Sequence, residues 1–144
     1  MPGKKTFIKF VIVPCSGIGK TFGSVSREAA YIITEDLRQD DTQLVALAKL
    51  VMGEASAVET VSGNPTITID GCKLACASKM VRESGGNIMQ EFDVLDVYRR
   101  YKELRPDGIA ELNENGVKLA QALAEEAAVT IDKLKVDTKV GQNA

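Results

Sequence analysis

Three cysteines occupy positions suited to metal or thiol chemistry. Cys15 follows the apolar, β-branched run at 10–13, and Cys72 follows a second β-branched run at 66–69. Both therefore stand where a predicted strand ends, and Cys76 lies four residues beyond Cys72. Thiolates are good ligands for zinc and are the nucleophilic form of cysteine. The sequence predicts that the three sulfurs converge on one metal-binding or thiol site.

The spacing of two of these cysteines suggests how they share an ion. A helix is predicted over 73–83, and on a helix residues four apart lie on one face with Cβ atoms about 6 Å apart. A zinc–thiolate bond is about 2.3 Å, so Cys72 and Cys76 could share one ion. The unpaired amides of the helix N-terminus and the charge of Lys73 would stabilise a thiolate at Cys72. The alternative is that a cysteine, Cys76 most readily, is a small buried core residue.

Composition excludes several classes of function. The chain has 144 residues, 3 cysteines, no histidine and a net charge of −2. Without histidine it has no Ser-His-Asp or Cys-His site, and any metal must be held by sulfur, oxygen or a partner. No basic surface points to nucleic acid, no apolar run is long enough to span a membrane, and Lys9 interrupts the N-terminal apolar run. We expect a cytoplasmic protein whose thiols stay reduced, whose partner is a protein or small molecule, and which could form a homo-oligomer.

The hydrophobic patterns predict alternating strands and helices. Strands are expected at 7–13, 66–69 and within 87–97, and helices at 24–37, 54–61, 73–83 and 113–134. The run 42–52 fits a helix or a strand, and a helix is favoured for its first part; 98–104 fits a short helix or turn, and 136–144 a flexible tail. The predicted fold is one Rossmann-like α/β domain over 1–144, with a short, mainly parallel sheet flanked by helices in two or three layers. In such sheets ligands bind at the carboxyl ends of the strands, where Cys15 and Cys72 would meet if their strands are neighbours.

A second pattern concerns phosphate. Gly19-Lys20-Thr21 resembles the end of a P-loop, and Asp70 resembles the strand-end aspartate that holds magnesium in P-loop enzymes. However, Pro14 stands where the first P-loop glycine belongs, and proline lacks the N–H group that a phosphate cradle needs. The sequence leaves open weaker anion binding by the loop and helix start, namely Ser16, Gly17, Gly19, Lys20 and Thr21. The alternatives are a solvated lysine at Lys20 and a turn or helix-cap role for Asp70.

The motifs Cys15-Ser16-Gly17 and Asp70-Gly71-Cys72, with Cys76 after them, resemble the DGC-domain family, to which zinc binding is ascribed. The likeness spans roughly residues 9–86. It implies a cytoplasmic α/β domain with four potential chelating cysteines and no firmly assigned activity. Three of the four match here, and the fourth falls near Val51, where this chain has no cysteine.

Three protein ligands leave one coordination position for water, Asp70 or a group from a partner. Such an open position is typical of catalytic or transfer sites, whereas structural zinc is usually closed by four ligands. We expect zinc, held by Cys15, Cys72 and Cys76, with Asp70 as a further ligand or, together with Ser16, as an orienting group. The same thiols could instead hold an iron–sulfur cluster, or act as reactive thiols in sulfur or redox transfer.

Overall fold

The protein is built around a four-stranded, all-parallel sheet. The computed structural model describes residues 9–15, 20–71 and 74–143, and for 137–143 it describes the backbone alone. The strands pair in the order β2-β1-β3-β4. They are β1 (Phe10–Pro14), β2 (Thr42–Leu44), β3 (Pro65–Asp70) and β4 (Asn87–Asp93). The predicted single α/β domain with a parallel sheet is confirmed.

Six α-helices occur in the described part of the chain. They are α1 (Thr21–Tyr31), α2 (Leu47–Val51), α3 (Ala55–Gly63), α4 (Cys76–Glu83), α5 (Val94–Arg100) and α6 (Glu114–Asn143). The segment Ile32–Leu37 continues α1 as a π-helix. None of the helices in these described ranges is long and apolar enough to cross a membrane.

Helices cover both faces of the sheet, so the fold has three layers. Successive strand residues point to opposite faces, which divides the buried side chains into two cores. Phe10 and Ile12 of β1 belong to the core that contains residues of α1, α5 and α6. Val11 and Val13 belong to the second core, formed with α2, α3 and α4.

Helix α6 is longer than the sequence suggests. It was expected to end near Leu134 and to leave a flexible tail, but its backbone is helical to Asn143. Asp132 and Lys135 anchor the later turns through ion pairs with Arg38 at 2.7 Å and Asp41 at 3.0 Å. The predicted inner face is confirmed for Leu119, Ala120, Leu123, Ala127 and Ile131, which are all buried. Val117 is also predicted to lie there, which is wrong, because it belongs to the first turn of α6 and is 41% exposed.

The region 42–52 divides between the two predicted alternatives. The helix favoured for its first part is wrong, since Thr42–Leu44 is a strand that pairs with β1 from Phe10↔Thr42 to Ile12↔Leu44. The helix starts only at Leu47. Residues 42–44 are held by a partner strand some thirty residues away in the chain, and local pattern carries no information about that pairing.

Smaller differences lie at the ends of the other elements. Helix α1 begins three residues before the predicted start at Ser24. Strand β1 extends one residue beyond the predicted end, through Pro14. Residues 7 and 8 of the predicted strand lie outside the described ranges. The strand expected within 87–97 is confirmed as β4. Helix α5 begins directly after β4, and its last residues, 98–100, are the first part of the helix or turn predicted at 98–104.

The buried stripe of α6 should contribute strongly to stability. Leu123 is fully buried, so Leu123→Ala is expected to lower the free energy of unfolding by about 2–5 kcal/mol. The matched control is Val129→Ala on the same helix, where the side chain is 52% exposed and the loss should be under about 0.5 kcal/mol. Denaturant unfolding followed by circular dichroism measures both, and equal losses would contradict the assignment of the buried face.

Candidate functional site

The carboxyl ends of β1 and β3 meet at one edge of the sheet. The two strands are neighbours with Pro14 paired to Ile69, and the N–H of Cys15 donates to the carbonyl of Ile69 at 2.8 Å. The condition under which the ends of these two strands would meet is therefore fulfilled. The chain goes from β1 outward to β2 and then returns to place β3 on the other side of β1. This reversal is the topological switch point at which doubly wound sheets bind their ligands.

Cys15 lies at this edge of the sheet. It is 5% exposed and belongs to the core on the α4 side of the sheet, together with Val13 and Ala77. The hydroxyl of the buried Ser26 lies 2.9 Å from the Cys15 carbonyl oxygen and 2.7 Å from that of Gly23. Ser26 thus ties the end of β1 to the first turn of α1.

Gly71 lies where β3 approaches the first turn of α1. A Cβ added at Gly71 would be 2.8 Å from the backbone carbon and oxygen of Phe22 and 2.9 Å from the nitrogen of Gly23. Backbone atoms cannot move aside as a flexible side chain can. The glycine of the Asp70-Gly71-Cys72 motif is therefore required by packing, because any side chain would push β3 and α1 apart.

Asp70 caps helix α4 from the end of β3. The carboxylate is 4% exposed; its Oδ1 accepts from the Ala77 N–H at 2.8 Å, and its Oδ2 accepts from the Ser78 N–H at 3.3 Å and the Ser78 hydroxyl at 2.7 Å. Ala75, in the N-cap position, has no side-chain oxygen and makes no capping hydrogen bond. Asp70 supplies the missing acceptor, as the helix-cap alternative for this residue anticipated. The role of Asp70 as a metal ligand stays a prediction.

Helix α4 begins at Cys76, three residues later than expected. Ala75 has φ 51° and ψ 48°, a left-handed conformation that cannot lie inside an α-helix, and Leu74 is in a turn. The idea that Cys72 and Cys76 sit one helical turn apart on one helix face is therefore wrong. Cys72 and Lys73 themselves lie outside the described residues.

The cysteines within the described ranges differ in access to solvent. Cys76 is an exposed thiol at the first position of α4, whereas Cys15 is buried. Among the side chains that the structure describes, no three cysteine, aspartate or glutamate residues cluster closely enough to hold a metal ion, and Cys72 is not among those side chains. The three-sulfur site stays a prediction.

The residues proposed for anion binding are only partly placed. Lys20 is exposed and precedes α1, and Thr21 is its half-buried first residue. Ser16, Gly17 and Gly19 lie outside the described residues, so the anion-binding loop stays a prediction.

Sequence reasoning missed two buried hydroxyls beside Asp70. Thr68 and Ser78 are fully buried, and their side-chain oxygens are 2.7 Å apart. One signal was available, since Thr66, Thr68 and Asp70 alternate along a strand whose other residues are apolar. That alternation marks a polar row on one face of a buried strand.

Gly71→Ala is expected to lower the free energy of unfolding by about 1–3 kcal/mol, because the added methyl group overlaps the α1 backbone. Gly63→Ala is the matched control, since a Cβ at Gly63 would meet nothing within 4 Å. That change should cause no loss of stability. Chemical denaturation of both variants provides the measurement, and a harmless Gly71→Ala would contradict the close approach of β3 to α1.

Ala75→Gly is expected to raise the free energy of unfolding by about 1 kcal/mol, because glycine adopts the left-handed conformation without the steric cost that alanine incurs. Ala48→Gly, at an exposed position within α2, should lower it by about 1 kcal/mol. Shifts in the denaturation midpoint measure both changes, and the test is whether the two variants shift it in opposite directions. Destabilisation by both would show that residue 75 is not held in the left-handed region.

Comparison with known proteins places the chain in a family. Residues 11–115 match the family model of the DGC domain, and this range includes Cys15, Asp70-Gly71-Cys72 and Cys76. No curated protein and no solved structure matches the chain. Since the match covers well over half of the 144 residues, the protein belongs to the DGC domain family.

Proposed function

We propose that this DGC-domain protein binds a zinc ion through the thiolates of Cys15, Cys72 and Cys76. One observation carries the proposal: the hydrogen bond from the Cys15 N–H to the Ile69 carbonyl. It joins the ends of β1 and β3 at the switch point of the sheet, and Cys72 follows Ile69 by three residues. Two of the three cysteines therefore belong to chain segments that leave the sheet side by side.

The donors available at this edge suit a thiophilic metal. The chain contains no histidine, so the soft ligands that it offers are the sulfur atoms of cysteine and methionine. Cys15 would form the buried base of the site and the exposed Cys76 its rim. Ser16 would orient the thiolates by donating hydrogen bonds, as groups around metal ligands commonly do. Asp70 would orient Cys76 indirectly, by accepting the N–H groups of Ala77 and Ser78 next to it.

Three thiolates leave one position on a tetrahedral ion for water or for a group from a partner. This open position distinguishes the proposed site from a closed structural zinc site. The zinc ion would act there as a Lewis acid or as cargo passed to a protein or small-molecule partner. A cytoplasmic location, where thiols are kept reduced, belongs to the same proposal.

The exposure of Cys76 favours one alternative. An accessible thiol at the start of a helix is also what a sulfur- or redox-transfer protein needs, with or without an iron–sulfur cluster. Protein purified without oxygen separates the two functions. Zinc gives a colourless protein with one zinc per chain, and an iron–sulfur cluster gives a brown protein that contains iron and sulfide.

Elemental analysis of cysteine variants tests the zinc site. Cys72→Ser and Cys76→Ser are expected to lose most of the bound zinc, because a serine hydroxyl is a far weaker ligand than a thiolate. Met52→Ser is the control: it removes a sulfur atom from a side chain that is 79% exposed, and it should keep the zinc. Unchanged zinc stoichiometry in Cys72→Ser would refute the proposal.

A further inference from the structure

A chain of buried polar groups runs from β3 to the start of α4. Asp70 is surrounded by donors and, as a carboxylate, can only accept hydrogen bonds. The single hydroxyl proton of Ser78 points to Asp70 at 2.7 Å, so the Thr68 hydroxyl must donate to Ser78 across the 2.7 Å between their oxygens. The direction of the whole chain is thereby set: Thr68 donates to Ser78, and Ser78 donates to Asp70.

This network holds the residues next to Cys76. Ala77 and Ser78 are the second and third residues of α4, and both give their backbone N–H groups to Asp70. On the other side of Cys76, Ala75 is in the left-handed conformation and its carbonyl accepts the N–H of Lys79 at 3.0 Å. The backbone of Cys76 is therefore fixed from both directions, and its Cβ leaves the helix start in one defined direction.

We propose that Asp70, Ser78 and Thr68 are positioning residues for Cys76, and that Asp70 is not a metal ligand. The inference rests on the proposed zinc site and specifies how one of its ligands is held. It also assigns a role to Thr68 and Ser78.

The surroundings of Asp70 argue against its acting as a ligand. Its Oδ2 already accepts two hydrogen bonds and its Oδ1 accepts one. The two backbone N–H groups form the positive end of α4, and a cation bound to the same carboxylate would be repelled by it. Asp70 neutralises this helix end and leaves coordination to the sulfurs.

Cobalt(II) serves as a spectroscopic substitute for zinc, and matched variants are available on one strand. Thr68→Val removes the hydroxyl but keeps the shape of the side chain, and Thr68→Ser keeps the hydroxyl. Thr66→Val is the control, since Thr66 is equally buried on the same face but bonds to the carbonyls of Val61 and Asn64, outside the network. Ser78→Ala and Asp70→Asn interrupt the network at its other members.

Thr68→Val and Ser78→Ala are expected to weaken cobalt binding by about 10–100-fold, the usual effect of losing a group that orients a ligand. Their cobalt spectra should match that of the parent protein, because the ligand set is unchanged. Thr68→Ser should restore the affinity, and Thr66→Val should leave it intact. Asp70→Asn should weaken binding and keep the spectrum.

Two results with cobalt would overturn the inference. If Asp70→Asn shifts the cobalt absorption bands, Asp70 is a ligand. If Thr66→Val weakens binding as much as Thr68→Val does, the effect reflects general stability and no positioning role exists.

A second readout needs no metal, so failure of the zinc proposal and failure of this inference are distinguishable. In the metal-free protein, Ser78→Ala and Thr68→Val should speed hydrogen exchange at the Ala77 and Ser78 amides by about tenfold, while Thr66→Val should not. They should also change the rate at which Cys76 reacts with a disulfide reagent. If the protein binds no cobalt, the zinc site is refuted and these two rates alone decide the inference; unchanged rates refute it.

Discussion

The hydrogen bond between the ends of β1 and β3 is the constraint on which the rest of the structure depends. It joins Cys15 to Ile69, and beyond this point the two strands part toward α1 and toward the turn that precedes α4. Because β2 lies on the far side of β1 and β4 on the far side of β3, the connections that follow β1 and β3 lead to opposite sides of this pair of strands. Strand order thus predicts a ligand crevice at this edge of the sheet.

Each element that leaves this crevice is tied down by a different polar contact. Ser26 holds α1 to the carbonyl of Cys15, and Asp70 holds α4 to the end of β3. Gly71 allows β3 to approach the α1 backbone directly. Within the described residues no buried side-chain nitrogen or oxygen lacks a hydrogen-bond partner. These polar contacts therefore add no unsatisfied polar atom to the interior.

Sequence reasoning succeeds here where the signal is local and apolar. The runs at 10–13 and 66–69 are rich in β-branched residues, most of them apolar, and lie in strands. The buried stripe of α6 repeats with a helical period. Those periodicities reflect burial on one face or both, which is a property of the segment itself. The rule that ligands bind at strand ends left one condition open, namely that β1 and β3 are neighbours, and the structure fulfils it.

The predictions that failed depend on distant contacts or on strain. Strand β2 has three residues and exists because β1 pairs with it, and the last turns of α6 carry ion pairs to residues 38 and 41. The late start of α4 could not be predicted for a different reason. Alanine favours the right-handed helix, and nothing local indicates that Ala75 adopts the left-handed conformation. The carboxylate of Asp70, five residues upstream, instead caps the helix that starts after Ala75.

The two described cysteines of the proposed site also differ in how accessible they would be to a reagent. Cys15 is shielded by the core between the sheet and α4, whereas Cys76 stands at the surface on a backbone held rigid by Asp70. Exchange of a ligand or of cargo would therefore start at Cys76 and end at Cys15.

The pairing of β1 with β3 has a consequence for synthesis on the ribosome. Val11 pairs with Thr66, 55 positions later, and β2 with its following helices lies between them in the chain. Cys15 is thus made early but cannot acquire its neighbour until the segment through residue 70 has left the exit tunnel. Until then the Cys15 thiol of the nascent chain is not buried by the fold, and the rate of translation determines how long that interval lasts.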